Sequence, residues 1–199
     1  MHVTGDYTTR VDIVGGKSIN LNFVKNHSTT LALIDVIDDI YYSLDHNKTV
    51  VGIYLALQKA VDCVNHDILL YKMYNNYGVR VVAYKWFANY LTDRKQYTCV
   101  KDASSTLSNV NCCVPQGSVL GPLLFLVYVN DIASAVPGSK LKLFADDTNL
   151  FISGIDEAKL RKKYSTCLAA LNSWFIANRL CINLDKTNIM IFPHLMENL

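Results

Sequence analysis

The chain has 199 residues, of which 51% are hydrophobic and 18% are charged, and its formal net charge is +2. This length and apolar content suffice for one domain with a sizeable core, or for part of a larger protein, and they exclude a disordered chain. The net charge is too small to indicate a nucleic-acid binder by itself, although it does not exclude one.

The first half of the chain alternates between helical patterns and one apolar run. In chain order we predict a helix, a strand and two further helices over residues 28–45, 49–57, 60–77 and 79–91. The strand is continuously apolar and β-branched, which is typical of burial on both faces. The last helix carries Val82, Trp86, Phe87 and Tyr90 at helical spacing. We interpret this aromatic stripe as core; a base-stacking platform is the alternative.

The second half predicts more strands. We expect a hairpin (96–101 and 107–114, joined around 103–105), a loop (115–118), a helix (119–135), a second hairpin (141–152), a helix (155–178) and two strands (180–184 and 188–192). Ser118 is a candidate N-cap for the first of these helices, and Pro122 is tolerated in its first turn. This order predicts an α+β domain with a mainly antiparallel sheet rather than βαβ units.

Two adjacent acids, Asp146 and Asp147, lie at the predicted tip of the second hairpin. Adjacent carboxylates repel each other, whereas hard divalent cations prefer carboxylate oxygens and also bridge phosphates. The tip is therefore a candidate Mg²⁺ site. A solvated Asp-Asp turn is the alternative, because aspartate favours turns.

The six cysteines show neither a C-x-x-C pair nor a Cys/His cluster at zinc spacing. We expect reduced thiols in an intracellular protein, nuclear or cytoplasmic, rather than a disulfide framework. The N-terminus lacks the regions of a signal peptide. The longest apolar run contains Gly121 and Pro122 and is shorter than the roughly 20 residues that span a bilayer. We therefore expect a soluble protein without a membrane partner.

Five segments follow one another in an order and spacing that match one known family. They are HSTTLAL at 27–33, QKAVDCVNHDILL at 58–70, VPQGSVLGPLLF at 114–125, FADD at 144–147, and WFIANRL at 174–180 followed by Asn183 and Lys186. Together they resemble the reverse transcriptases of non-LTR (LINE-type, jockey-like) retrotransposons, over roughly residues 23–192.

The resemblance implies a polymerase palm, an antiparallel sheet packed on helices, with part of the fingers. We expect residues 1–27 to be a remnant of the fingers, 28–193 the palm and partial fingers, and 194–199 a tail. No thumb is expected after Phe192, and no endonuclease domain before the palm. The implied partners are an RNA template, a DNA primer and deoxynucleoside triphosphates; the oligomeric state stays open.

The family's nucleotidyl transfer uses two Mg²⁺ ions about 4 Å apart. The resemblance assigns Asp146 as the chief hairpin ligand and Asp147 as its neighbour. It assigns Gln116 and Gly117 to the loop that lines the incoming nucleotide, where glycine permits close backbone approach. Lys186 corresponds to a lysine that assists the leaving pyrophosphate; a solvated surface lysine is the alternative.

The sequence departs from the family at positions that carry the chemistry. The family reads Asp-Leu-x-Lys-Ala-Phe-Asp where this chain reads ALQKAVD at 56–62. Ala56 thus replaces the metal-bridging aspartate, and Asp62, six residues later, is a poor substitute. Val61 occupies the aromatic gate position that excludes a ribose 2′-hydroxyl. Val24 replaces an arginine that would hold the triphosphate.

We therefore predict a fragment of an RNA-directed DNA polymerase whose catalysis is impaired. Two other interpretations stay open: an element-derived domain that binds RNA or protein without catalysis, and an unexpressed relic. Phosphate contacts and plain solvation explain the following basic residues equally well: Arg94, Lys95, Lys101, Lys140 and Lys142.

Overall fold

The computed structural model describes residues 29–101, 103–114, 117–144 and 147–194. The predictions for residues 1–28, for Gln116 and Asp146 and for residues 195–199 lie outside these ranges. The α-helices are α1 (Thr29–Asp45), α2 (His66–Asn75), α3 (Val81–Leu91), α4 (Leu120–Val129) and α5 (Glu157–Ala177). The strands are β1 (Thr49–Leu55), β2 (Lys95–Gln96), β3 (Cys99–Val100), β4 (Ala103–Ser104), β5 (Ser108–Asn109), β6 (Lys140–Phe144), β7 (Asp147–Gly154) and β8 (Asn188–Phe192). Short 3-10 helices span Ala60–Cys63, Asn130–Ala135 and Leu184–Lys186.

The main sheet has the strand order β6-β7-β1-β8, and each neighbouring pair is antiparallel. β1 is central because its apolar, β-branched residues can be buried on both faces. Val51, Ile53 and Leu55 are buried on one face, and Val50 is buried on the other. The predicted α+β architecture and the buried strand are confirmed.

Helices α2, α4 and α5 cover one face of this sheet, here called the helix-covered face. Their buried side chains join those of β1 and β7 in one core, to which Leu69, Leu124, Leu171 and Phe175 contribute. The apolar positions of α5 recur at helical spacing, and their burial confirms the predicted inward side of this helix. None of the described helices is long and apolar enough to cross a bilayer.

Helix α1 lies on the opposite face, here called the α1 face. Two ion pairs attach it to β6: Lys140 to Asp39 and Lys142 to Asp35. The spacing fits, because the acids are one helical turn apart and the lysines point to the same side of the strand. These two lysines therefore have carboxylate partners within the fold, which weakens their assignment as phosphate contacts.

Hydrogen bonds between distant segments correct two predicted elements. The expected single helix over 60–77 is a 3-10 helix and α2, interrupted at Asn65, whose side chain caps α2 by accepting from the backbone N of Ile68 (3.0 Å). The chain is extended there because Cys113 N donates to Val64 O at 2.9 Å. The strand expected over 180–184 is reduced to a single bridge between Leu57 and Ile182.

The region 79–114 also differs from expectation. Trp86 is 51% exposed and Val82 is 77% exposed, so interpreting the α3 stripe as core is wrong for these two residues. The hairpin exists as two short ladders, β2 with β5 and β3 with β4. Its tip lies between Val100 and Ala103, earlier than predicted.

The helix expected over 119–135 is α4 followed by a 3-10 helix. The N-cap of α4 is Val119 rather than the predicted Ser118, although Ser118 Oγ accepts from Gly121 N at 3.0 Å. Pro122 lies in the first turn, as predicted. The cysteines, all within the described residues, are free thiols.

A buried lysine joins three helical segments that the sequence did not connect. Lys72 Nζ donates to Asp131 Oδ1 at 2.7 Å and to Tyr128 O at 2.6 Å, and it lies 4.7 Å from the centroid of the Trp174 ring. Burial lowers the pKa of Lys72, and the adjacent Asp131 opposes that shift. The ammonium is retained because hydrogen bonds and ring faces replace its water.

Tyr128 is fully buried and ties α4 to two other segments. Its hydroxyl donates to Asn178 O at 2.6 Å, beyond the end of α5, and accepts from Asn65 N at 3.4 Å, before α2. Burial raises the pKa of Tyr128 from 10.0 to about 12.

We expect Tyr128→Phe to lower the free energy of unfolding at neutral pH by about 1–3 kcal/mol, because two buried backbone groups lose their partner. The unfolded chain releases this proton near pH 10, whereas the folded chain keeps it until about pH 12. Stability therefore falls as the pH rises through that window, and the Phe variant lacks this part of the fall. Urea unfolding at a series of pH values measures both effects.

Tyr97→Phe is the matched control, because Tyr97 is 61% exposed. It should change neither the neutral stability nor the alkaline slope. Parallel alkaline slopes for the unaltered chain and Tyr128→Phe would contradict the assignment.

Candidate active site

The ends of β1 and β7 bring two predicted site positions together. The register pairs Leu55 with Thr148, so the next pair along it is Ala56 with Asp147. Directly opposed residues of antiparallel strands project to the same face. Leu55 and Thr148 project to the helix-covered face. Because side chains alternate along a strand, Ala56 and Asp147 project to the α1 face. Continuing the register in this way, Ala56 and Asp147 adjoin its last pair and project to the same face.

The segment that contains Lys186 is attached to the same strand end. Asn183 N donates to Ala56 O at 2.8 Å, and Gln58 N donates to Cys181 O at 2.9 Å. The 3-10 helix Leu184–Lys186 follows directly, with Lys186 exposed on it. Lys186 thus lies three residues after Asn183, the residue bonded to the end of β1, and the role that the resemblance assigns to it stays a prediction.

Hydrogen bonds also join the two residues before the expected nucleotide loop to the segment that contains the gate position. Val114 N donates to Val61 O at 3.2 Å, and His66 Nε2 donates to Cys113 O at 2.7 Å. Val61 is half-buried and packs against the core. Gly117 has φ +78°, and no neighbouring atom lies within 4 Å of the position a Cβ would take. The glycine is therefore required by its backbone conformation rather than by crowding.

A row of polar side chains crosses the α1 face one residue pair from Ala56, and sequence reasoning missed it. The register aligns Lys142, Asn149, Tyr54 and Asn188 across the four strands. Burial raises the pKa of Tyr54, whose ring meets Phe151 edge-on with centroids 5.9 Å apart. The alternation of polar with apolar residues in β6 and β7 was the signal available in the sequence.

The described donors do not fit a two-metal centre. Asp147 is exposed, and Ala56 beside it offers no side-chain oxygen. Asp62 lies on the 3-10 helix Ala60–Cys63, past the end of β1. Among the described residues, no group of three His, Cys, Asp or Glu side chains is arranged to hold a metal ion. Asp146, the other expected ligand, lies outside the described ranges.

Comparison with known proteins identifies the family. The family model for reverse transcriptase (RNA-dependent DNA polymerase) matches residues 10–197. The chain belongs to the reverse transcriptase family. The resemblance to reverse transcriptases of non-LTR elements is thereby confirmed, since the similar proteins are polymerases of such mobile elements.

The chain is 26% identical over 179 residues to the RNA-directed DNA polymerase from mobile element jockey of Drosophila melanogaster, covering 86% of the chain and 19% of that protein. It is 30% identical over 175 residues to the probable RNA-directed DNA polymerase from transposon BS of the same fly, covering 83% and 19%. The chain thus spans about a fifth of the length of the curated relatives it matches.

Solved telomerase structures share the fold. The apo telomerase of Candida tropicalis, truncated from its C-terminal domain, superposes with a TM-score of 0.60 at 13% identity, over 83% of this chain and 35% of that one. The telomerase of the same yeast in complex with a TWJ fragment of telomeric RNA gives 0.62 at 14% identity, over 82% and 29%. At this identity the likeness shows the fold alone, and it confirms the palm-like α+β architecture.

We expect Gly117→Ala to lower the free energy of unfolding by about 1 kcal/mol or more, because a φ of +78° is strained for any residue with a Cβ. Chemical denaturation of the purified chain measures the change.

Gly154→Ala is the control substitution: its φ lies outside the left-handed region, and its added Cβ would make an ordinary 3.5 Å contact with Leu160. If both variants lost the same stability, backbone strain at Gly117 would be refuted.

Proposed function

We propose that this reverse transcriptase is the palm and partial fingers, residues 28–193, of the RNA-directed DNA polymerase of a non-LTR retrotransposon. Its ancestral reaction is template-directed nucleotidyl transfer from deoxynucleoside triphosphates to a DNA primer on an RNA template. We further propose that this reaction is impaired here, because Ala56 stands in the position of the first metal ligand.

The convergence of separated segments at one sheet end supports the ancestry. The end of β1 is joined to the start of β7 through the register and to the 181–183 segment through backbone hydrogen bonds, and a further backbone bond joins Val61 to Val114. Each of these segments carries one of the motifs by which the sequence resembles the family. The names of the matched relatives, RNA-directed DNA polymerases, support the same reaction.

The impairment rests on the identity of residue 56: an alanine directly follows Leu55, the residue of β1 whose register partner, Thr148, is next to Asp147. Reverse transcriptases use divalent metal ions, and Mg²⁺ supplies charge stabilisation and orientation at the reacting phosphate. An aspartate at 56 together with Asp146 and Asp147 would form a three-carboxylate donor set. A methyl group at 56 removes one bridging ligand, and the loss is expected to cost on the order of 10³-fold or more in rate.

Two further positions bear on the nucleotide. Val61 is shorter than the aromatic gate and leaves room beside the expected sugar position, so discrimination against ribonucleotides is expected to be weak. Lys186 is exposed at the end of β1, where an ammonium group is available to a leaving pyrophosphate. A solvated role for Lys186 is equally compatible with that exposure.

RNA binding without catalysis is the second candidate function. The observation that favours it is the contrast between an intact core and the replaced ligand at Ala56, since backbone and basic side chains suffice for phosphate contacts. Salt-dependent binding of RNA together with absent extension would distinguish it from polymerase activity.

The deciding experiment is primer extension on an RNA template with Mg²⁺ or Mn²⁺. We expect no extension by the unaltered chain and measurable extension by Ala56→Asp, because the substitution restores a carboxylate beside Asp147. A gel of the extended primer, quantified against time, measures the difference.

Ala56→Asn is the matched control, because it has nearly the same volume without the charge and should not restore extension. Ala56→Asp combined with Asp147→Asn should be inactive or weaker than Ala56→Asp alone. Robust extension by the unaltered chain would overturn the impairment. Equal gains from Asn and Asp would show that the carboxylate is not the missing element.

A further inference from the structure

The outward side of α3 carries a stacked column of two aromatic rings and a guanidinium group. The Trp86 and Tyr90 rings lie parallel, 6° apart in plane, with centroids separated by 5.4 Å. The guanidinium of Arg94 lies 5.6 Å from the Tyr90 centroid. Trp86 and Tyr90 are four residues apart in α3, which places their rings on one helix surface, whereas Arg94 follows the end of the helix. We call this set, with the adjacent Lys85 and Lys95, the α3 face.

The α3 face is exposed, although its aromatic content would suit a core. The helix is anchored by Leu91, which is fully buried, and it packs on α2. Trp86 remains 51% exposed, and Val82, the next residue along the column on the side away from Tyr90, is 77% exposed. Within the described residues nothing covers this end of the column.

Positive charge is concentrated at the same place. Residues 80–102 contain five basic residues and two acids, Asp93 and Asp102, a net charge of +3, whereas the whole chain carries +2. Lys85, Arg94 and Lys95 form no salt bridge with a described carboxylate, in contrast to Lys140 and Lys142. A surplus of cations beside an exposed ring attracts an anionic partner that also has flat apolar groups.

Single-stranded nucleic acid has both properties, because its unpaired bases stack on aromatic rings and its phosphates pair with lysine and arginine. A duplex offers the phosphates but keeps its bases stacked on one another. A protein that bound the exposed rings through an apolar surface of its own would gain nothing from the surplus positive charge.

We propose that the α3 face binds single-stranded nucleic acid, with one base stacked on Trp86 and the adjoining phosphates on Arg94, Lys95 and Lys85. The inference goes beyond the proposed function, because α3 packs on the helices of the helix-covered face, whereas Ala56 and Asp147 lie on the α1 face. It therefore describes a second contact, which requires no metal and no catalysis.

The test is fluorescence anisotropy of the full chain with labelled oligonucleotides of about 12 nucleotides, within the site sizes of known single-strand binders. The probes are oligo-U RNA, oligo-dT DNA and an RNA duplex of the same length. We expect Trp86→Ala to weaken single-strand binding by about 5- to 100-fold and to leave duplex binding unchanged. Trp86→Phe should retain part of the affinity, because it keeps a ring.

A matched pair of charge variants tests the phosphate contacts. Arg94→Gln should reduce the dependence of log K on log salt by about 0.7, whereas Arg161→Gln, at an exposed position on α5, should leave it unchanged. Comparison of oligo-U with oligo-dT reports whether the face prefers RNA. Circular dichroism and thermal unfolding confirm that each variant is folded.

Three outcomes would overturn the proposal: no single-strand binding by the unaltered chain at low salt, equal affinity of Trp86→Ala, or equal losses on duplex and single strand. A change in sedimentation of Trp86→Ala without nucleic acid, with RNA affinity unchanged, would assign the face to protein contact instead. None of these results bears on the proposed polymerase reaction, which the primer-extension assay tests separately.

Discussion

The antiparallel register between β1 and β7 is the constraint on which the candidate site depends. It pairs Thr49 with Gly154 at one end and Leu55 with Thr148 at the other, and every apolar residue of β1 that faces the helices depends on it. A slip of one residue would turn Val51, Ile53 and Leu55 away from the core. Because the core holds the register, the residues after Leu55 and before Thr148 must meet, whatever their chemistry.

This coupling explains how a site can lose a ligand while its frame persists. Ala56 lies at the strand end and contributes to the frame mainly through its carbonyl oxygen, which accepts from Asn183 N. Any side chain at position 56 leaves that hydrogen bond and the register intact. Packing residues are restrained by burial, whereas the side chain at 56 matters to the reaction and little to the fold. The frame and the side chain at position 56 therefore depend on separate physical constraints.

The sequence predicted the elements whose pattern is local. The continuous apolar run of β1, the paired strands β6 and β7 and the inward side of α5 are patterns in adjacent residues, and the structure contains all three. It misplaced elements that distant hydrogen bonds control. The break at Asn65 depends on residues 112–113, and the loss of the expected strand at Ile182 reflects its single bridge to Leu57. The stripe on α3 was misinterpreted because helical spacing shows which side chains share a side of the helix, but not what covers them.

Of the candidate site, the sequence offered predicted positions but not the polar row through Tyr54 and Asn149, which forms when the strands pair. The buried Lys72 was also invisible, because its partners lie on α4, α5 and a 3-10 helix far along the chain. The polar row and the contacts of Lys72 both arise from tertiary contacts between segments whose own sequences do not indicate them.

The most direct test of the central claim is Mn²⁺ binding followed by electron paramagnetic resonance, since it needs neither primer nor template. The account predicts no saturable, stoichiometric site in the unaltered chain and the appearance of one in Ala56→Asp that is lost again when Asp147 is changed to Asn. A tight site in the unaltered chain that disappears in Asp147→Asn would contradict it, because the carboxylates would then hold the metal without a ligand from β1.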